Sequence, residues 1–196
     1  MANARDAILA AVRRNKPNPE PLPVIPLFET PAESEVLRLF CETAKAMGSE
    51  PVVVETLDEI PAHLKQRFPD VPPAQCHAGA DLGLDFAELS PDVSPRDLHY
   101  LELAVFRGEF GVAENAAIWV SDEKLVHRVA PFITQHLVLI VEKTKLVWNM
   151  HQAYGRLGTD LPGYGVFIAG PSKTADIEQS LVLGAHGPKS LTVFLV

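Results

Sequence analysis

Apolar residues fall into two kinds of pattern along this chain. One is the short, nearly continuous run: Val52–Val54, Tyr100–Phe106, Ala116–Val120, Leu137–Val141, Val166–Ala169 and Leu191–Val196. Runs of this length read as strands, and continuity rather than alternation marks strands buried on both faces of a parallel sheet. The other is the helical stripe. Asn3–Arg14 carries Ile8, Leu9 and Val12 on one face. A second helix is announced by Thr30-Pro31-Ala32-Glu33, which reads as a capping box with proline at the first helical position. Val36, Phe40, Ala44 and Met47 give that helix a buried stripe, and Gly48 ends it. Leu57–Phe68, restarting at Pro61, and Asn149–Leu157 are further helices. Runs alternating with helical segments predict an α/β domain with a largely parallel sheet flanked by helices.

The terminal stretch is read as one β-α-β unit. Val166–Ala169 is a strand buried on both faces, and Gly170-Pro171 breaks it. Ser172 or Thr174 then caps a helix with Asp176 and Glu178 in its first turn, where negative charge is favoured. That helix buries Ile177, Leu181 and Leu183 and stops at Gly184, and Leu191–Val196 returns as a strand. Upstream, Pro17, Pro19, Pro21, Pro23 and Pro26 predict an extended arm after the first helix. Pro69–Ala80 reads as mostly connection. The expected organisation is a helical arm with its proline-rich connection over 1–48, packed on an α/β domain over 49–196.

Composition narrows the functional classes. Apolar residues make up 47% and the formal net charge is −8, with no basic cluster beyond Arg13-Arg14, which argues against nucleic acid as a partner. The apolar runs are far shorter than a membrane span, so no membrane insertion is expected. Neither an export signal nor closely spaced cysteines are seen, and the expected location is cytoplasmic. Cys41 and Cys76 are half the thiolates an iron–sulfur cluster normally takes, so no cofactor is expected in this chain. Cys76-His77 with Asp81 has ligand residue types without the spacing of a metal site, and no metal is expected.

Three places carry candidate chemistry. Glu114, between two strands, is the candidate catalytic carboxylate. Apolar walls would desolvate it and raise its pKa, fitting it for general acid–base or nucleophilic work. The plainer reading is that Glu114 and Asn115 tie the turn through backbone amides. Gly170-Pro171-Ser172-Lys173-Thr174, with Asp176, is a candidate site for a small anionic ligand, held by free amides and the Lys173 ammonium, and Asn115 is a further candidate ligand contact; simple helix capping is the alternative for the Gly170 segment. His186, between Gly184 and Gly187, is either a loop anchor or a further ligand contact.

Gly-Pro-Ser-Lys-Thr-Ala-Asp-Ile-Glu from Gly170, followed by Leu183-Gly-Ala-His-Gly-Pro188, resembles the C-terminal signature of the LUD family, in its lactate-utilization branch. The family's usual Gly-Ile-Ala-Glu-Thr-Gly-Thr is matched at Glu114, while Asn115-Ala116-Ala117 replaces Thr-Gly-Thr. Glu114-Asn115 also resembles part of the Ser-Glu-Asn-Gly motif of class I CoA-transferases. The resemblance implies a fold similar to that of CoA-transferases and the glucosamine-phosphate and ribose-phosphate isomerases. It also implies a part in oxidising L-lactate to pyruvate, alongside partner proteins that carry iron–sulfur clusters. The site expected from it gathers Glu114, Ser172, Lys173 and Asp176 around one cleft at the carboxyl ends of the strands. Acyl-CoA transfer or hydrolysis with Glu114 as nucleophile, and a non-catalytic ligand-sensing subunit, are the competing readings.

Overall fold

A computed structural model describes residues 3–21, 23–25, 29–79, 82–158, 163–175 and 181–196. In chain order the elements are α1 (Ala4–Arg14), α2 (Glu33–Ala46), β1 (Glu50–Val53), α3 (Ile60–Arg67), β2 (Cys76–Ala78), β3 (Leu103–Arg107), β4 (Phe110–Val112) and β5 (Ala117–Ser121). There follow α4 (Ala130–Ile133), β6 (His136–Val141), β7 (Leu146–Val147), α5 (Met150–Leu157), β8 (Gly165–Ile168), β9 (Lys173–Ala175), β10 (Leu181–Leu183) and β11 (Ser190–Leu195).

The strands form two main sheets rather than one. Five of them, ordered β1-β11-β6-β3-β2, pair in parallel throughout. Both faces of this sheet are covered, as its continuous apolar runs require. Leu103, Val105, Val138, Ile140 and Phe194 pack with Ile60 and Leu64 of α3 on one side. Ala104, Phe106, Leu137, Leu139, Val193 and Leu195 point the other way. There they meet the second sheet, β7-β4-β5-β8, which is mixed: β4–β7 is parallel, β4–β5 and β5–β8 antiparallel. The outer face of this mixed sheet, Phe110, Val112 and Trp119, is covered by Ala153, Met150 and Leu157 of α5. Helix α2 adds Val36, Phe40 and Ala44 to the core between the sheets, all three buried. Each large side chain buried this way contributes on the order of 2 kcal/mol.

The terminal unit departs from its sequence reading. β8 is an edge strand of the mixed sheet, only half-buried over most of its length, whereas β11 lies inside the parallel sheet. The two therefore cannot flank a β-α-β crossover. Between them Lys173–Ala175 and Leu181–Leu183 pair antiparallel, Lys173 opposite Leu183, where a helix was expected. Asp176, Ile177 and Glu178, which made the segment look helical, lie outside the described residues. The spacing of so short an amphipathic segment is a weak signal, because a helix of two turns is marginal without a packed face.

Three smaller expectations also change. Helix α2 starts two residues late, with Ala32 as its N-cap and no side-chain cap. Thr30 instead accepts a hydrogen bond from Gln152 Nε2 at 2.5 Å, a partner 122 residues away. Helix α1 forms, capped by Asn3, yet buries no residue: Ile8 is 64% and Val12 61% exposed, so of the described residues in the expected arm over 1–48 only those of α2 contribute to the core. Pro69–Ala80 contains a strand, β2, whose partner β3 was legible although β2 itself was not.

Candidate functional site

The two sheets are joined directly at Gly108-Glu109. Gly108 N donates to Ile140 O of the parallel sheet, and the next amide, Glu109 N, donates to Trp119 O of the mixed sheet. The chain therefore changes sheets between two consecutive residues. Only glycine fits at 108: a Cβ there would run into the Ile118 Cγ2 methyl and lie 3.0 Å from Val141 Cγ2.

Around this crossing lies a cleft of about 1080 Å³. Arg107 ends β3, Glu142 follows β6, Val196 follows β11 and Leu57 follows β1, so the cleft sits at the carboxyl ends of the parallel strands. That is where open α/β sheets bind ligands. Lys145 Nζ is paired with Glu142 Oε1 at 2.7 Å. Arg156, in the last turn of α5, stacks over the Phe110 ring at 5.1 Å and donates to Lys145 O at 3.4 Å. Half-buried Arg107 lines the cleft with no ion-pair or hydrogen-bond partner among the described residues. Glu109 Oε1 accepts from Ser121 N at 3.2 Å, and the buried Ser121 hydroxyl has no hydrogen-bond partner among the described residues.

The residues singled out from the sequence lie at the opposite edge. The Ala113–Ala116 turn joins β4 to β5. Glu114 is exposed, not walled in by apolar groups, and its Oε2 accepts from Met150 N at 2.9 Å, the first amide of α5. A carboxylate at that helix end is electrostatically favoured. Asn115 Oδ1 accepts from Ala117 N at 3.1 Å and closes the turn on itself. Ala116, where the family's usual motif has glycine, is held at φ 53, in the left-handed region that disfavours a side chain.

β8 runs antiparallel to β5 with Ile168 opposite Ile118, which brings Gly170 alongside the Ala113–Ala116 turn. Gly170 has φ 77, and a Cβ on it would lie 2.7 Å from Met47 O, at the end of α2. Ser172 N donates to Pro188 O at 2.8 Å, and Gly184 N donates to Ser172 O at 3.0 Å. These bonds tie the loop to the entry of β11, so Gly170 and Ser172 lie at the amino ends of the parallel strands, not the carboxyl ends. The Ser172 amide is thus spent on the fold rather than free for an anion. Lys173 is exposed, and Thr174 is in β9. His186 is exposed and lines a separate depression of about 360 Å³ with Phe132 and Ile133. None of these residues lines the large cleft.

The structure thus brings the Glu114 turn and the Gly170 loop to one edge, and assembles at the other a cleft that motif reading missed. The available signal was Arg107-Gly108-Glu109, charges on either side of a glycine at the end of a buried run. Among the described residues no three His, Cys, Asp or Glu side chains are grouped to hold a metal, and no helix is long and apolar enough to cross a membrane. Asp81 lies outside the described residues.

Residues 101–196, just under half of the chain, match the LUD domain. The chain is a distant homologue of lactate utilization protein C. It is 31% identical over 116 residues to that protein of Bacillus pumilus, covering 56% of this chain and 48% of the relative. With that of Bacillus subtilis it shares 32% over 94 residues, 45% of this chain and 39% of the relative. With that of Exiguobacterium it shares 34% over 108 residues, 48% and 46%. These alignments span about half the length of the relatives or less. A crystal structure of a DUF162 family protein from Deinococcus radiodurans superposes with a TM-score of 0.66 at 16% identity, covering 87% of this chain and 99% of that one. At that identity the likeness is one of fold.

Proposed function

We infer that this chain acts as a lactate utilization protein C-like subunit in the cytoplasm. It takes part in the oxidation of L-lactate to pyruvate together with partner proteins that carry iron–sulfur clusters. The observation that supports this reading is the alignment with several lactate utilization C proteins at about 30% identity. The cysteine chemistry is compatible with it. Burial pushes the Cys76 thiol up to about 11 and raises that of Cys41, so neither is a ready thiolate ligand. The reading therefore assigns electron transfer to the partners. Anaerobic affinity purification of the tagged protein from lactate-grown cells tests it. Stoichiometric, iron-containing partners are expected; a protein recovered alone and iron-free overturns the reading.

A second reading, acyl-CoA transfer or hydrolysis through Glu114, is supported by one observation. The carboxylate is exposed and oriented by a single hydrogen bond from Met150 N. It requires an acyl adduct on Glu114 after acyl-CoA treatment, seen as a mass shift that Glu114→Gln abolishes. An unmodified protein removes this reading.

A further inference from the structure

The cleft at the sheet crossing is not explained by a site for lactate alone. Clefts of about 300–1,000 Å³ accommodate drug-sized ligands, and this one, at about 1080 Å³, is far larger than a small hydroxy acid fills. Its lining balances Arg107, Lys145 and Arg156 against Glu109, Glu123 and Glu142, yet among the described residues only Lys145 and Glu142 are joined as an ion pair. Lys145 is neutralised by Glu142, but Arg107 and Arg156 have no carboxylate partner among the described residues. In a chain with 25 acidic and 17 basic side chains, two arginines that stay out of ion pairs in one cleft are a specific arrangement. Burying a guanidinium even halfway without a counter-charge costs free energy that a bound anion recovers.

We propose that this cleft binds a phosphate-bearing ligand of nucleotide size, its phosphate on Arg107. Three features select that chemistry. The position is the point where the chain leaves the parallel sheet, beyond the carboxyl ends of its strands, and open α/β sheets bind nucleotides at such places. The backbone amides of Gly108 and Glu109 are spent on Ile140 O and Trp119 O, so they form no phosphate cradle and side chains must supply the anchor. The Arg156 guanidinium lies over the Phe110 ring and, being exposed, is open to a base on its other side. Glu109 has one carboxylate oxygen on Ser121 N and a second that can accept from ribose hydroxyls, and the unpartnered Ser121 hydroxyl stands beside it in the wall.

The proposal does not rest on the lactate role, because it is read on the purified chain. Isothermal titration with ADP, inorganic pyrophosphate and L-lactate tests it. ADP is expected to bind, pyrophosphate more weakly, and lactate not measurably. Arg107→Gln and the exposed Arg156→Gln should each weaken ADP binding roughly tenfold or more, the loss of one charge-assisted contact, while Arg38→Gln on α2 leaves it unchanged. Near-UV circular dichroism confirms that each variant is folded, and Arg156→Gln serves if Arg107→Gln is not. No heat with millimolar ADP overturns the proposal, as does equal ADP binding by folded variants of the two cleft arginines. Pyrophosphate binding as tight as ADP overturns the nucleotide-sized part, since the cleft would then read charge alone.

Discussion

The two edges of this molecule are built on opposite principles. At the amino ends of the parallel strands, the groups that look chemically promising are engaged in holding the chain together. Glu114 holds the first amide of α5, Asn115 closes its own turn, and Ser172 is bonded through both its N–H and its carbonyl. At the carboxyl ends the amides of Gly108 and Glu109 are equally satisfied, yet the Arg107 side chain and the Ser121 hydroxyl have no partner among the described residues. A distinctive motif is therefore no guide to an available site. A polar group in a tight turn is used first to satisfy buried or terminal backbone groups, and what remains for a ligand is found where the packing leaves room.

The comparison can be broken most forcefully at its two glycines. Gly170→Ala forces a side chain into a left-handed conformation against Met47 O, and Gly108→Ala drives a methyl into Ile118 and Val141. Each should cost about 2–4 kcal/mol in urea unfolding. A loss below about 1 kcal/mol for Gly170→Ala would show that the amino edge is loosely held and that its loop amides are available after all.

A smaller effect comes from His77, which is 4% exposed. Its Nδ1 bonds Ala87 O at 3.1 Å while its Nε2 has no partner among the described residues. Burial holds its pKa below the ordinary 6.5, opposed by the Ala87 bond and Glu88, with His127 acting in the same sense as burial. Above pH 6.5 the imidazole is neutral in both folded and unfolded chains, and stability is full. As pH falls below 6.5 and through the lowered folded value, the unfolded chain takes the proton first and stability is lost. His136, lowered chiefly by burial, acts in the same direction. His77→Asn, which can keep the bond to Ala87 O, should flatten the dependence of urea midpoint on pH between 7 and 5 as an order-of-magnitude window. An unchanged slope would mean that His77 does not contribute.

The smallest effect is expected at Glu114. Glu114→Gln keeps an acceptor for Met150 N but removes the charge at the start of α5, and should cost only about 0.5 kcal/mol. Glu114→Ala, losing the bond as well, should cost about 1 kcal/mol. If both are thermally silent and lactate-dependent growth fails, Glu114 acts in chemistry rather than in tying the turn, and the contrast between the edges weakens.

Much of this protein was determined locally. Leu103–Arg107, His136–Val141 and Ser190–Leu195 are strands because continuous β-branched and aliphatic runs suit a sheet buried on both faces, and α2 follows from the spacing of Val36, Phe40 and Ala44. The turn at Asn115 was likewise legible, since an Asx side chain reaches an amide two residues on without help from the rest of the chain. Tertiary structure alone decided which strands share a sheet, because Val166–Ala169 and Leu191–Val196 look alike as apolar runs yet pair in different sheets. It also decided that Thr30 serves Gln152 rather than its own helix, and that residues 173–183 begin and end as paired strands. The cleft belongs to this second kind. Arg107, Ser121, Glu142 and Arg156 are scattered over 50 residues and meet only where two sheets diverge. The free space there comes from the packing of surfaces, and no single stretch of sequence carries it.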